Sequence, residues 1–321
     1  MNDIDIHPAD HVASVREYYL QRKMREVAQL NAAGADIISL GIGGPDMPPP
    51  QAAIDTLCSQ ARRPDTHGYQ LASGLPEMRR AFARWYGQRF GVTLDADSEI
   101  MPLIGSKEGI MHISLTFLNP GDGVLLPNPG YPTYTSVSRL VGADIRYYDL
   151  LEDRGWTPDF DALEHADLSG VKIMWTNYPN MPTGAPASRE LFERLVDFGR
   201  RHNILIINDN PYSFILNDNP LSILSVPGAK DIAIEMNSLS KSHNMAGWRM
   251  GMLAAKAEYV AWIRRVKSNV DSGQFAPMMS AVTDALAVGD EWYAQLNATY
   301  AERRAIVDRI ATALGCTFDP A

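Results

Sequence analysis

The run Asn237-Ser238-Leu239-Ser240-Lys241-Ser242-His243-Asn244-Met245-Ala246-Gly247-Trp248-Arg249 sets one lysine among small hydroxyl residues after an apolar stretch, with an arginine eight positions on. A lysine amine forms an imine with an aldehyde, and Ser238, Ser240 and Arg249 have groups that hold a phosphate dianion. The run therefore suits an aldehyde cofactor that carries a phosphate. Taken alone, Lys241 reads better as a solvated loop lysine, the commoner fate of its residue type.

Other runs shift that balance. Asn208-Asp209-Asn210-Pro211-Tyr212 follows the apolar stretch Ile204–Ile207. Asp209 there is either a turn or capping residue, or a carboxylate that pairs with a protonated pyridine nitrogen and keeps the ring an electron sink. Tyr212, three residues on, can donate to a ring oxygen. Gly105-Ser106-Lys107-Glu108-Gly109 opens a helical pattern, so Ser106 is either a plain cap or part of an anion site at a helix start. Asn128-Pro129-Gly130-Tyr131-Pro132-Thr133-Tyr134 offers Tyr131 as a flat stacking surface.

Residues so far apart in sequence meet only if a scaffold brings them to one edge. Short apolar runs at Val124–Leu126, Val171–Thr176, Ile204–Ile207, Asp231–Met236 and Met250–Ala254 read as strands. Helical periodicity separates them. Ser106–Leu118 carries Ile110, Ile113, Phe117 and Leu118 on one side, and Ser188 is placed to cap a helix with Leu191, Phe192, Leu195 and Val196 inward. Strand and helix in repetition predict an α/β fold with a mainly parallel sheet and helices on both faces, in which ligands bind beyond the carboxyl ends of the strands.

The 321 residues allow one large unit with a smaller satellite. With 45% hydrophobic and 21% charged residues, neither disorder nor a fibrous chain is suggested, and no run approaches the roughly 18 apolar residues of a membrane helix. A formal net charge of -9 argues against nucleic acid as partner. Cys58 and Cys316 are the only cysteines, giving neither a disulfide framework nor metal-ligand spacing; they read as structural thiols in a reducing compartment. The start, Met1-Asn2-Asp3-Ile4-Asp5-Ile6-His7, lacks a basic, apolar secretory pattern, so a cytoplasmic location is expected. Gly41-Ile42-Gly43-Gly44 hints at a dinucleotide loop, but Pro45 and Pro48-Pro49-Pro50 stand where its helix would begin.

Taken together and in this order, the motifs resemble the pyridoxal-phosphate enzymes of fold type I, specifically the class I/II aminotransferases, from about residue 36 onward. The segments Gly105–Gly109 and Lys267–Phe275 are most similar to the LL-diaminopimelate aminotransferase-like branch. The resemblance implies a large three-layer α/β/α domain over 46–288, an arm and part of a small α+β domain over 1–45, and the start of a C-terminal small domain, incomplete here, over 289–321. It implies pyridoxal 5'-phosphate held through Lys241, with Asp209 on the ring nitrogen, Tyr212 and Asn180 near the phenolic oxygen, and Tyr131 stacked on the ring. Ser106, Lys107, Ser238 and Arg249 fall on phosphate positions, Tyr69 reaches the phosphate of a neighbouring subunit, and Gly43 makes a backbone contact near the substrate carboxylate. A homodimer follows, with the amino-terminal segment and the residues after Lys241 as interface candidates. The implied reaction is transamination between an L-amino acid and a 2-oxo acid such as 2-oxoglutarate, the freed Lys241 amine moving the proton. A carbon-sulfur lyase or decarboxylase would share every cofactor residue, and a non-catalytic cofactor-binding fragment is the remaining alternative.

Two positions depart from the family pattern. Met181 stands before Pro182-Thr183-Gly184, where the family places an asparagine that donates to the phenolic oxygen; a thioether cannot donate. Either Asn180 or Asn177 substitutes, or Tyr212 serves that oxygen alone; the second is the expectation, and it predicts a raised pKa for the Lys241 imine. Family members also usually continue past Phe318, and the arginine that clamps the substrate α-carboxylate has no counterpart here; Arg303, Arg304 and Arg309 are expected to face solvent.

Overall fold

Runs of four to six residues, mostly apolar outside β3, become the strands of one seven-stranded sheet: β1 (Ile100–Leu103), β2 (Gly123–Asn128), β3 (Asp144–Asp149), β4 (Val171–Thr176), β5 (Leu205–Asp209), β6 (Ala233–Ser238) and β7 (Gly251–Ala254). The structure, a computed structural model, describes residues 5–41 and 43–318; Met1–Ile4 of the amino-terminal reading and Ile42 of the glycine run lie outside the described residues. The order across the sheet is β1-β7-β6-β5-β4-β2-β3. Strands β3, β2, β4, β5 and β6 pair in parallel, while β7 runs antiparallel to both β1 and β6. Helical crossovers between parallel strands put cover on both faces, which is why β4 and β5 are almost wholly buried rather than alternating.

Side chains still alternate in direction along each strand, and that divides the core in two. Leu125, Met174, Ile206, Ala233 and Met252 face one layer, where Phe82 and Trp85 (helix Pro76–Phe90), Leu195 and Phe198 (Arg189–His202), and Met279 and Val282 (Ala276–Leu286) pack. Val124, Ile173, Trp175, Ile207, Ile234 and Leu253 face the other, against Ile110 and Ile113 (Ser106–Phe117), Tyr134 and Val137 (Pro132–Leu140), and Val260 and Ile263 (Ala257–Val270). This is the expected three-layer arrangement. Ile110 and Ile113 are completely buried, each contributing about 1.5–3 kcal/mol through burial.

The helix start at Ser106 and the cap at Ser188 form as the sequence predicts; Ser188 Oγ accepts from the Leu191 N–H at 3.0 Å. Two strands were not anticipated. β1 contains Pro102, and β3 lies at the sheet edge with charged residues at Asp144, Arg146 and Asp149. Cys58 and Cys316 are both exposed free thiols, which corrects the expectation of structural ones: neither meets a core cluster. Among the described residues, no helix is long and apolar enough to cross a membrane.

Candidate active site

Sheet register places the predicted chemistry at one edge. Asp209 ends β5 opposite Met236 of β6, Ser238 ends β6 opposite Gly251 of β7, and Gly251 also faces Leu103, the last residue of β1. The carboxyl ends of β1, β5 and β6 thus sit beside the amino end of β7; Asp209 ends β5, Ser106 and Lys241 follow β1 and β6, and Arg249 precedes β7. They line one cleft of about 1310 Å³.

Tyr131, Tyr212, Lys107, Ser238, Ser240, Gly43, Asn177 and Met181 line the same cleft. Nearly every residue that the sequence singled out is therefore brought together. Tyr69 and Asn180 are not. Tyr69 is 98% exposed and does not line this chain's own cleft. Asn180 corrects an expectation: its amide donates to the Asn177 carbonyl at 3.1 Å, and its oxygen accepts from the Thr183 hydroxyl at 2.7 Å. The tight loop engages both of its polar ends, and Asn180 does not line the cleft. The Asn177 amide likewise donates to the Asp209 carbonyl, and its oxygen accepts from the Met181 N–H at 2.8 Å.

Burial shapes the Asp209 carboxyl. Tyr134 donates to Oδ2 at 3.1 Å, and the Tyr134 ring stacks on Trp175 with centroids 5.0 Å apart and planes inclined by 16°. Oδ1 is buried with no partner. Desolvation pushes the carboxyl up to about 7, although the hydrogen bond from Tyr134 opposes it. A buried acceptor without a donor is costly, and a pyridinium N–H is a donor that would both satisfy Oδ1 and return the carboxyl to its charged form. Tyr212 is pushed up to about 12, chiefly by burial and then by the nearby Asp209 charge, so it remains a protonated donor.

The other end of the cleft is cationic. Arg249 takes the left-handed conformation (φ 57°) and donates to the Ala246 carbonyl at 2.8 Å and the Ile104 carbonyl at 3.1 Å. Such a φ is costly for a residue with a side chain and persists where the surroundings fix it. Gly105 (φ 72°) is obligatory beneath it, since a Cβ there would overlap the guanidinium. Burial, then repulsion from Arg249, lowers the pKa of both Lys107 and Lys241. Three cations gathered this closely call for an anion, and the open start of helix Ser106–Phe117 adds free N–H groups to the same place. The Lys241 Nζ donates to the Gly43 carbonyl at 2.7 Å and lies 6.0 Å from the Tyr212 ring centroid. A phosphorylated pyridine aldehyde fits this set: an acid-side partner for its nitrogen, a depressed lysine for its aldehyde, and cations for its phosphate.

Sequence reasoning did not find the segment that crosses the cleft. Tyr18, Arg16 and Glu17 line it, as does Arg139, and the Lys107 Nζ lies 4.3 Å from the Tyr18 ring centroid. Tyr134 was also missed, although its position three residues after Tyr131 at a helix start puts both rings on one face, 5.6 Å apart.

The family described as Aminotransferase class I and II matches residues 35–318. An LL-diaminopimelate aminotransferase of Nitratidesulfovibrio vulgaris is 44% identical over 306 residues, 94% of this chain and 79% of the relative. That of Aquifex aeolicus is 42% identical over 298 residues, 92% of this chain and 76% of the relative. Among solved structures, apo-BacF from Bacillus subtilis superposes with a TM-score of 0.91 at 33% identity, covering 96% of this chain and 79% of that one. A probable N-succinyldiaminopimelate aminotransferase from Thermus thermophilus gives 0.86 at 34% identity, covering 92% and 80%. With the fold, the cleft and these relatives in agreement, the chain belongs to the class I and II aminotransferases, pyridoxal-phosphate enzymes of fold type I that exchange an amino group between an amino acid and a 2-oxo acid.

Proposed function

We propose that Lys241 is the covalent anchor and proton carrier of this transaminase, with LL-diaminopimelate as the amino donor and 2-oxoglutarate as the acceptor. The observation that carries the site reading is the buried, unpartnered Oδ1 of Asp209 in the same cleft as a lysine with a depressed pKa. When bound, pyridoxal phosphate supplies an aldehyde and a ring that withdraws electrons from the substrate α-carbon. Asp209 holds the ring nitrogen protonated, Tyr134 orients Asp209, and Tyr131 supports the ring face. Tyr212 donates to the phenolic oxygen without help from Asn177 or Asn180, whose amides are turned to backbone carbonyls. Ser106, Lys107, Ser238, Ser240 and Arg249 hold the phosphate. Lys241, its pKa lowered by burial and Arg249, is placed to take a proton from the substrate α-carbon and deliver it to the carbon of the cofactor's former aldehyde.

The donor assignment is drawn from the relatives at 44% and 42% identity and from the wide cleft, where Arg16, Arg139 and Glu17 offer both charge signs to a second amino-acid head. Tyr69, almost fully exposed, serves the cleft of a second copy in a homodimer. Residues 46–288 form the cofactor-binding domain, with 1–45 as an arm and part of a small domain to which 289–321 also belong. Incubation with LL-diaminopimelate and 2-oxoglutarate tests the function: glutamate forms in step with loss of the donor. Release of ammonia and pyruvate, or of carbon dioxide, without an acceptor overturns it in favour of a lyase or decarboxylase.

A further inference from the structure

A partly buried ion cluster lies behind the phosphate end of the cleft. Lys267, 2% exposed, is in helix Ala257–Val270 and donates from Nζ to Glu108 Oε1 and, at 2.8 Å, to both oxygens of Asp271. His112 Nε2 meets the same Glu108 oxygen at 2.7 Å. The second Glu108 oxygen accepts the backbone N–H of Ile104. Glu108, His112 and Asp271 lie within 4.8 Å of one another, a spacing that a divalent cation can use, but the Lys267 ammonium already takes the place of one. Burial works against the Glu108 charge, and hydrogen bonds from His112 and Lys267 more than offset it, holding the carboxyl below its ordinary range.

Placing the Lys267 ammonium out of water, even against partly exposed carboxylates, is expensive, and a stabilising role alone is a weak reason for it. Its connections are more informative. Glu108 is the third residue of the helix whose first two, Ser106 and Lys107, line the cleft, and the N–H that Glu108 accepts belongs to Ile104, whose carbonyl holds Arg249. On the other side, the chain leaving Lys267 makes two more ties. The Gln274 amide donates to the Arg249 carbonyl at 2.7 Å, and the Gly273 N–H donates to the Gln70 carbonyl at 2.8 Å, next to Tyr69. A Cβ at Gly273 would overlap the Leu71 carbonyl, so this approach requires glycine. One short segment, Lys267–Gln274, therefore braces the helix start and Arg249, two separate pieces of the proposed phosphate cup, and also holds the Tyr69 loop.

We infer that Lys267 is a positioning residue: acting through Glu108, it fixes the geometry of Ser106, Lys107 and Arg249, and so sets the affinity for the cofactor's phosphate rather than the chemistry at the ring. The inference rests on the reading of those three residues as the phosphate site. Lys267 touches neither cofactor nor substrate.

The test uses the full chain without cofactor, titrated with pyridoxal phosphate and, separately, with pyridoxal, binding being read from tryptophan fluorescence. Lys267→Met and Glu108→Gln are each expected to weaken pyridoxal phosphate about 10-fold or more while leaving pyridoxal binding unchanged, as losses of supporting groups do at other ligand sites. Lys267→Arg, which keeps the charge, recovers part of the affinity. At saturating pyridoxal phosphate, kcat stays within about 2-fold of the parent, because no group that is used only in the transition state has been removed. Equal losses for both ligands, or none, overturn the inference; if Lys267→Met does not fold, Glu108→Gln alone decides between these outcomes. Ser106→Ala separates the bracing role from the phosphate site itself. If it weakens pyridoxal phosphate and the Lys267 and Glu108 variants do not, the inference alone fails; if it too has no effect, the phosphate site is misread and the inference falls with it.

Discussion

The cup at the strand ends and the segment that crosses over it are built in opposite ways. In the cup, Asp209, Ser238 and Asn177 are at most 4% exposed, and each is tied to backbone or to another buried group. Over residues 5–41, no described residue is buried, and helix Tyr19–Ala32 offers Tyr19, Met24 and Leu30 to solvent. That segment lines the cup from outside, with Tyr18 over Lys107, and just beyond it the Gly43 carbonyl accepts from Lys241. A cofactor common to a whole family needs fixed groups, and sheet register supplies them. Substrates differ, and the groups that face them are carried on a segment that costs little to alter.

The comparison predicts that damage to the cup abolishes chemistry. Lys241→Ala is expected to lower turnover by about 10²–10⁴-fold at the least, the contribution of a positioned proton carrier, in a coupled assay at saturating cofactor. Turnover near that of the parent rejects the assignment.

Asp209→Asn comes next, with about 10²–10³-fold lost from kcat, since an amide cannot hold the ring nitrogen's proton by charge. It has a second signature in the protein without cofactor. The folded state keeps the Asp209 proton up to about pH 7, whereas an ordinary aspartate loses it near 3.8. Between those values the folded state binds more protons, so the contribution of this group to stability falls as pH rises from about 4 to 7. Cofactor-free Asp209→Asn should therefore melt higher than the parent at pH 8, with the gap closing toward pH 4. A gap that grows on acidification contradicts the assigned environment.

Changes to the crossing segment are smaller and of a different kind. Tyr18→Ala removes a cation–π contact worth about 0.5–1 kcal/mol and is expected to raise KM several-fold with kcat nearly kept. A loss confined to kcat would erase the distinction between the two regions. Smallest is Met181→Asn, which adds a donor at the cleft wall and lowers the pH at which the Lys241-linked cofactor loses its proton, followed by its absorbance. An unmoved titration shows that the position does not reach the phenolic oxygen.

Much of the cup was legible in the sequence because its residues follow apolar runs, and strand ends are where such sheets bind ligands. Ser238 after Ala233–Asn237 and Asp209 after Leu205–Asn208 are of this kind. β1 and β3 were not legible, for identifiable reasons. Pro102 sits inside β1, and the charges of β3 reflect an edge strand covered less completely than β4 or β5. The Lys267 cluster was hidden too: Glu108 and Lys267 lie 159 positions apart, and each taken singly reads as an exposed charge. Asn180 failed for the reverse reason, since its neighbours matched a motif while its own amide was needed to close the loop.

The central claim is that Lys241, and no other lysine in the cleft, carries the cofactor. Borohydride reduction of the cofactor-loaded protein, followed by proteolysis and mass mapping, tests it directly. The account predicts a pyridoxyl-phosphate adduct on the peptide containing Lys241 and none on that containing Lys107; an adduct on Lys107, or none on Lys241, contradicts it.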